Sequence, residues 1–218
     1  MAHSAVNYLG CERSEGDVFH TAAASNLGQM LVRICRSDGI PLVNIIRSAE
    51  QEDLLRQLGA SHVVNSSHPE FAANLEEAIA TTGATIGFDA IGGGTLAARI
   101  LTAMEKVASR NLVGYSRYGS STPKQVYIYG GLEPGPTIIN RAFGFSWSVG
   151  GWLLFPFLQR IGTDTLQRLR ARIADEFRTT FKSHYTDTIS LRDALLPEIA
   201  GSYERKGTGA KYLINPGL

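Results

Sequence analysis

Apolar positions along the chain follow two rhythms that take turns. Val18 to Thr21 is a short β-prone run without Gly or Pro, and the small residues Ala22 to Asn26 follow it. Leu27, Met30, Leu31, Ile34 and Cys35 then recur at i, i+3, i+4, i+7 and i+8, which predicts one apolar face of a helix. Asp38-Gly39 supplies the stop for that helix. Leu42 to Ile46 is nearly all apolar, the pattern of a strand covered on both faces, and it ends at Arg47-Ser48. Ala49 to Leu58 predicts a short helix with Leu54, Leu55 and Leu58 turned inward. His62 to Val64 predicts a third strand ending at Asn65. Phe71, Leu75, Ala78 and Ile79 mark a third helix, with Pro69 at its first turn and Gly83 after its last. Ala84 to Asp89 reads as a fourth strand, followed by Gly92 to Gly94 and a helix carrying Leu96, Ile100, Leu101, Met104 and Val107. A looser stretch, Ala108 to Pro123, leads to a fifth strand, Gln125 to Tyr129.

Strands alternating with helices in this way imply an α/β fold, a doubly wound parallel sheet with helices on both faces. Beyond the sheet, Leu166, Leu169, Ile173 and Phe177 predict an amphipathic helix starting near Thr163-Asp164, with Arg168, Arg170, Arg172 and Arg178 as a solvated face. The chain then runs into an extended tail. The block Phe143, Phe145, Trp147, Trp152 to Phe155, Phe157 and Leu158 reads as core packing or a dimer interface, with an acceptor pocket as the other reading. Three units follow: a lead-in over 1–16, in which Ser4 to Leu9 has room for a helical turn, a sheet domain over 17–182 and a tail over 183–218.

Composition narrows the function. The 218 residues carry a net charge of +1 with both signs interspersed, which argues against a nucleic-acid partner. Cys11 and Cys35 form no metal cluster and no disulfide framework, so a reducing cytoplasm is expected. No basic-then-apolar leader opens the chain. The apolar stretch over 143–158 is interrupted by Gly150, Gly151 and Pro156 and reads as core, leaving no membrane partner. His3, His20, His62, His68 and His184 are isolated, without a His-x-x-x-His pair, so no metal is expected. His20, at the end of the first strand, reads as a packed or water-bound imidazole.

The candidate chemistry lies at the strand ends. In doubly wound sheets ligands bind beyond the carboxyl ends of the strands. The residues there are Ala22 to Asn26, Arg47-Ser48, Asn65-Ser66, Ala90 to Gly94, and Gly130 to Leu132. After the first strand, Ala23, Ser25 and Gly28 stand at the three positions of a Gly-x-Gly-x-x-Gly turn, which serves if the turn avoids positive φ. The helix that follows points its first N–H groups at an anion. Arg47 ends the second strand 19 residues after Gly28. A carboxylate there would hold ribose hydroxyls and select NAD; an arginine accommodates a 2′-phosphate.

Ala22-Ala-Ala-Ser-Asn-Leu-Gly28, Leu54-Leu-Arg-Gln-Leu-Gly-Ala-Ser-His-Val-Val64, Phe88-Asp-Ala-Ile-Gly-Gly93 and the closing Gly207-Thr-Gly-Ala-Lys-Tyr-Leu-Ile-Asn-Pro216 together resemble the medium-chain dehydrogenase/reductase superfamily. The likeness is to the cofactor domain of its zinc-independent, quinone-oxidoreductase-like branch. This resemblance implies a homodimeric oxidoreductase that passes a hydride from NADPH, in preference to NADH, to a quinone, enone or related carbonyl acceptor. It implies that Ala24, Ser25, Asn26, Leu27 and Gly28 hold the pyrophosphate and Arg47 the 2′-phosphate. Asn65 would lie near the adenosine, Ala90, Ile91 and Gly92 beside the nicotinamide ribose, and Gly130 and Gly131 near the nicotinamide. Family members carry a barrel-like domain ahead of the first strand, whereas here 1–16 precede it. On that comparison Ser183 to Ser190 and Lys211 to Asn215 would be strands lacking their usual partners.

The residues name no catalytic proton donor. Tyr115, Arg117, Tyr118 and Lys124 cluster at the start of the fifth strand, the wrong end for the crevice. Tyr-x-x-x-Lys and Gly-x-x-x-x-Gly-Lys-Ser/Thr are both absent, which excludes a short-chain dehydrogenase and a P-loop enzyme. An acid closing the second strand, as a methyltransferase needs, is absent too. The alternative is a dinucleotide-binding or dimerisation module without turnover.

Overall fold

The structure is a computed structural model describing residues 17–110, 112–204 and 211–218. The lead-in, with its helical turn, lies outside them. Strands β1 (Val18–His20), β2 (Leu42–Ile46), β3 (His62–Asn65), β4 (Ile86–Asp89), β6 (Lys124–Ile128) and β8 (Trp147–Gly151) form one sheet in the order β3-β2-β1-β4-β6-β8. Every pairing in it is parallel. The order reverses between β1 and β4, so the ligand crevice of this doubly wound sheet opens there.

Helices cover both faces. On one, α1 (Asn26–Asp38) and α2 (Ala49–Gln57) enclose Val18, Leu31, Leu42, Leu55 and Phe88; on the other, α3 (Phe71–Thr82) and α4 (Leu96–Ser109) enclose Phe19, Val43, Leu75, Ile100 and Val126. Val18 and Phe19 point to opposite faces because strand side chains alternate. Both are buried, as expected of a strand covered on both faces. Each fully buried side chain of this size contributes roughly 1.5–3 kcal/mol. Gly39 and Gly83 close α1 and α3 in the left-handed conformation, at φ 68° and 75°.

Three expectations are corrected. The sheet has six strands, not five, because Trp147–Gly151 leaves the aromatic block and pairs with β6, Val149 opposite Val126. The block divides: Phe143 and Phe157 are buried, whereas Phe145 and Phe155 are exposed. Second, the tail strands β9 (Asp187–Ile189) and β10 (Tyr212–Ile214), expected to lack their usual partners, are not left unpaired: they pair with each other in parallel. Third, Arg172 is not merely solvated. It sits on α6 (Gly162–Asp175) and holds the Asp38 carboxylate with two nitrogens, both at 2.8 Å, tying that helix to the end of α1. The rest of α6 buries no residue, and Phe177 beyond it is exposed.

Two short strands, β5 (Gly92–Gly94) and β7 (Glu133–Thr137), pair above the carboxyl ends of β4 and β6. Helix α5 (Leu154–Arg160), a 3₁₀ turn (Asp193–Leu195) and α7 (Pro197–Glu204) complete the described elements. At the opposite end of the sheet Lys124 is fully buried, its Nζ 2.7 Å from the Glu105 carboxylate of α4. Ser120 and Ser109 donate further hydrogen bonds to that carboxylate. This confirms that Lys124 stands at the amino end of β6, away from the crevice.

Candidate functional site

The turn after β1 is built by strain and close packing together. Ala22 adopts φ 49°, the only described residue other than glycine at positive φ. Ala23 and Ser25, which stand for the first two glycines, do not, so the condition set on them is met; the strain at Ala22 costs about 1–3 kcal/mol. The turn is held by Ser25 N–H donating to the Ala22 carbonyl at 2.9 Å and Ala23 N–H donating to the Ile45 carbonyl of β2 at 3.2 Å. Ser25 caps α1: its Oγ accepts from Gly28 N–H at 3.2 Å and its carbonyl accepts from Gln29 N–H at 2.9 Å. Neither bond uses the N–H groups of Asn26 and Leu27, the first two of the helix, which are the donors an anion would meet.

Gly28 has a spatial reason. A Cβ there would lie 2.6 Å from the carbonyl carbon of Ala23, closer than side chains come. Helix and turn are packed backbone to backbone, as the third position of a dinucleotide turn requires. Leu27, by contrast, is 55% exposed and does not belong to the apolar face expected of it; that face consists of Leu31, Val32, Ile34 and Cys35. Burial, helped by Asp38, pushes the Cys35 thiol up to about 12, so it is inert packing.

The other expected residues line the same edge. Arg47 follows β2 with an exposed side chain; its N–H donates to Gln51 Oε1 at 3.0 Å and its carbonyl accepts from Ser67 Oγ at 3.0 Å. Asn65 ends β3, with Oδ1 accepting from Ser67 N–H at 2.9 Å. Ala90, Ile91 and Gly92 follow β4. Asp89, buried, fixes them: its carboxylate accepts from Thr21 Oγ1 at 2.7 Å and from the N–H groups of Ile91 and Gly92 at 2.9 and 3.2 Å. Thr21 Oγ1 in turn accepts from Ala90 N–H at 2.8 Å. Gly92 and Gly130 prove to be packed against protein: a Cβ on Gly92 would meet the Gly130 carbonyl oxygen at 2.6 Å, and one on Gly130 the Ala90 carbonyl oxygen at 2.6 Å. Gly131 faces open space. From Asn65 to Gly130 the residues span five adjacent strands, a row about 19 Å wide at the usual strand spacing.

Sequence reasoning missed a cation beside this row. Lys211, at the start of β10, donates from Nζ to Ser183 Oγ at 3.1 Å, and Asn26 Nδ2 donates to the same oxygen at 3.1 Å. The ammonium thus stands two hydrogen bonds from the first residue of α1. Arg33 of α1 also anchors this stretch, donating to the carbonyls of Thr180 and Lys182. The contacts are 157 and 28 residues apart in sequence, so no local pattern announces them. A separate open depression at the start of α6, lined by Ile161, Thr163, Asp164 and Arg168 among others, shares no residue with the row.

The sequence profile of the zinc-binding dehydrogenase family matches residues 27–139, more than half of the chain and most of this row. The chain belongs to that family. It is similar to 2-haloacrylate reductase from a Burkholderia species, 31% identical over 75 residues that make up 34% of this chain and 22% of that protein. Among solved structures it resembles a candidate NADPH:quinone reductase from Mesorhizobium loti, at a TM-score of 0.72 and 25% identity, over 97% of this chain and 56% of that one. It also resembles a mycobacterial protein solved in complex with NADPH, at a TM-score of 0.63 and 18% identity, over 99% of this chain and 61% of that one. This dehydrogenase-family chain therefore spans little more than half the length of these structures. The sequence resemblance to the medium-chain dehydrogenase/reductase superfamily and the Rossmann-like sheet agree with these findings. Among the described residues no group of three or more His, Cys, Asp and Glu is placed to hold a metal ion, and no helix is long and apolar enough to cross a membrane.

Proposed function

We propose that this chain binds NADPH along the carboxyl ends of β3, β2, β1, β4 and β6, as the cofactor-binding part of a zinc-independent oxidoreductase that reduces a quinone, enone or related carbonyl compound. The observation that carries the reading is Arg47: a solvent-facing guanidinium ends β2 where an NAD enzyme places an acid, in the same row as a turn on which Gly28 seats the start of α1. The donor set fits the dinucleotide. Asn26 and Leu27 N–H groups suit the pyrophosphate, Lys211 adds a cation through Ser183 and Asn26, and Arg47 suits the 2′-phosphate. Bound there, the nicotinamide supplies hydride chemistry. The protein's share is to orient: Asp89 and Thr21 fix the Ala90–Gly92 segment, and Gly131 leaves room at the far end of the row. On the same reading the working unit is a cytoplasmic homodimer; exposed Phe145, Leu153 and Phe155 flanking the edge strand β8 support a contact between copies.

A second reading is binding without turnover; the chain spans 56% of the Mesorhizobium protein. Mixing the purified chain with NADPH and a panel of quinones and enones, and following loss of nicotinamide absorbance, separates the two. Acceptor-dependent oxidation supports the enzyme reading. Binding of NADPH without oxidation by any acceptor supports the module, and absence of binding refutes both.

A further inference from the structure

Where the strand order reverses, the sheet carries a polar cluster: buried His20 at the end of β1, buried Thr21 just after it, buried Asp89 at the end of β4 and half-buried Tyr129 after β6. Thr21 and Asp89 are accounted for by the bonds that fix Ala90 to Gly92. His20 and Tyr129 are not. His20 Nε2 lies 2.6 Å from Tyr129 Oη, and the rings stack at 16° with centroids 5.8 Å apart. His20 is 2% exposed, and its Nδ1 is buried with no hydrogen-bond partner.

A buried nitrogen left unmet costs about 1–3 kcal/mol, so its retention asks for a reason. Burial alone holds the imidazole down at about 4, so it is neutral and one of its nitrogens carries hydrogen. With that hydrogen on Nδ1, an N–H would be buried without an acceptor, the rarer kind of orphan in proteins. With it on Nε2, only a lone pair is unmet, and Nε2–H donates to Tyr129 Oη. The phenol hydrogen then cannot point back at the imidazole. Burial first, and the Asp89 carboxylate second, raise the Tyr129 pKa, so the phenol keeps that hydrogen. Tyr129 is partly exposed and directly precedes Gly130 and the open space at Gly131.

The step to a ligand rests on the NADPH reading. Two halves of a dinucleotide lie on either side of the point where strand order reverses. Arg47 at β2 marks the adenosine half, which leaves the nicotinamide riboside half over β4 and β6. We propose that Tyr129, its hydroxyl turned outward by the His20 imidazole, donates a hydrogen bond to an oxygen of the nicotinamide riboside, with His20 as the positioning residue.

Calorimetric titration with NADPH and with 2′,5′-ADP, which shares the phosphorylated adenosine but lacks the nicotinamide riboside, tests this without any turnover. Tyr129→Phe is expected to weaken NADPH binding about fivefold to tenfold, the worth of one neutral hydrogen bond, and to leave 2′,5′-ADP unchanged. His20→Leu is expected to do the same, while His20→Gln, which keeps an N–H near the position of Nε2, recovers most of the loss. Should Tyr129→Phe fail to fold, the two His20 variants decide the question. Unchanged NADPH affinity in Tyr129→Phe overturns the inference, as does equal weakening of both ligands or a Gln variant as impaired as the Leu variant. Wild type that binds neither ligand overturns the NADPH reading itself and this inference with it.

Discussion

Gly28 and Gly201 both lie inside helices, and the same change to alanine should move stability in opposite directions. Gly28 is the third residue of α1 and does not adopt positive φ, so alanine meets no backbone obstacle there. The obstacle is space: its Cβ would sit 2.6 Å from the carbonyl carbon and 2.8 Å from the Cα of Ala23, backbone atoms that cannot rotate away. Restoring ordinary contact requires the start of α1 to lift by roughly 1 Å, an overpacking that costs about 1–3 kcal/mol, against a helix-propensity gain of about 1 kcal/mol. The net loss is up to about 2 kcal/mol, and each kcal/mol lowers the midpoint of thermal unfolding by about 2–4 °C in a chain of this length. Gly201, in α7, has nothing within 4 Å of the added methyl group, so Gly201→Ala keeps only the propensity gain and raises the midpoint by about 2–4 °C. Thermal unfolding followed by circular dichroism reads both variants. NADPH affinity should fall in Gly28→Ala alone, because only there do the first N–H groups of α1 move. A Gly28→Ala protein stabilised as much as Gly201→Ala would refute the close packing of helix on turn.

Acid should unfold the protein in two stages. The unfolded chain protonates His20 near the ordinary 6.5 while the folded one resists until about 4, so stability falls by about 3 kcal/mol as pH drops through that window. Glu105 is next. Burial raises its pKa, but hydrogen bonds from Lys124, Ser120 and Ser109 outweigh this and hold it at about 2 against the ordinary 4.5. Its contribution, again about 3 kcal/mol, is intact above 4.5 and lost as pH falls toward 2. Urea titrations across pH read both stages, and His20→Leu should abolish the first alone; a wild type flat between pH 7 and 4.5 contradicts the assignment. Lys124→Met should cost about 3–5 kcal/mol, since it strands the Glu105 carboxylate, whereas the double change with Glu105→Gln should recover much of the loss. A single variant as stable as wild type by the same urea titration would show that the pair is not buried.

The fold was legible wherever periodicity was strong. Leu42–Ile46 is a strand with the bounds its apolar run suggests, and Gly39 and Gly83 stop their helices as expected. Trp147–Gly151 was not legible because its alternation is confined to Trp147, Ser148 and Val149, and Gly150 and Gly151 then end it with a single β-branched residue in the strand. Arg172 looked solvated because its partner, Asp38, is 134 residues away. The candidate row was found by position alone: residues after parallel strands gather on one edge whatever their side chains. What position does not disclose is which small residues serve the ligand. Gly92 is small because it packs on the backbone of Gly130, and Gly130 because it packs on that of Ala90, while Ala22, not one of the three expected turn positions, takes the left-handed conformation. Lys211 and the His20–Tyr129 pair depend on contacts across the fold that spacing does not encode.

The central claim, that Arg47 reads a 2′-phosphate at the end of β2, is tested most directly by the ratio of NADPH to NADH affinity in wild type and in Arg47→Glu. A charge-assisted hydrogen bond is worth about 1.5–3 kcal/mol, so wild type should favour NADPH by roughly tenfold to hundredfold. The variant, which restores the acid of an NAD site, should lose that preference or invert it. Equal affinities in wild type, or a preference that survives Arg47→Glu, would contradict the account.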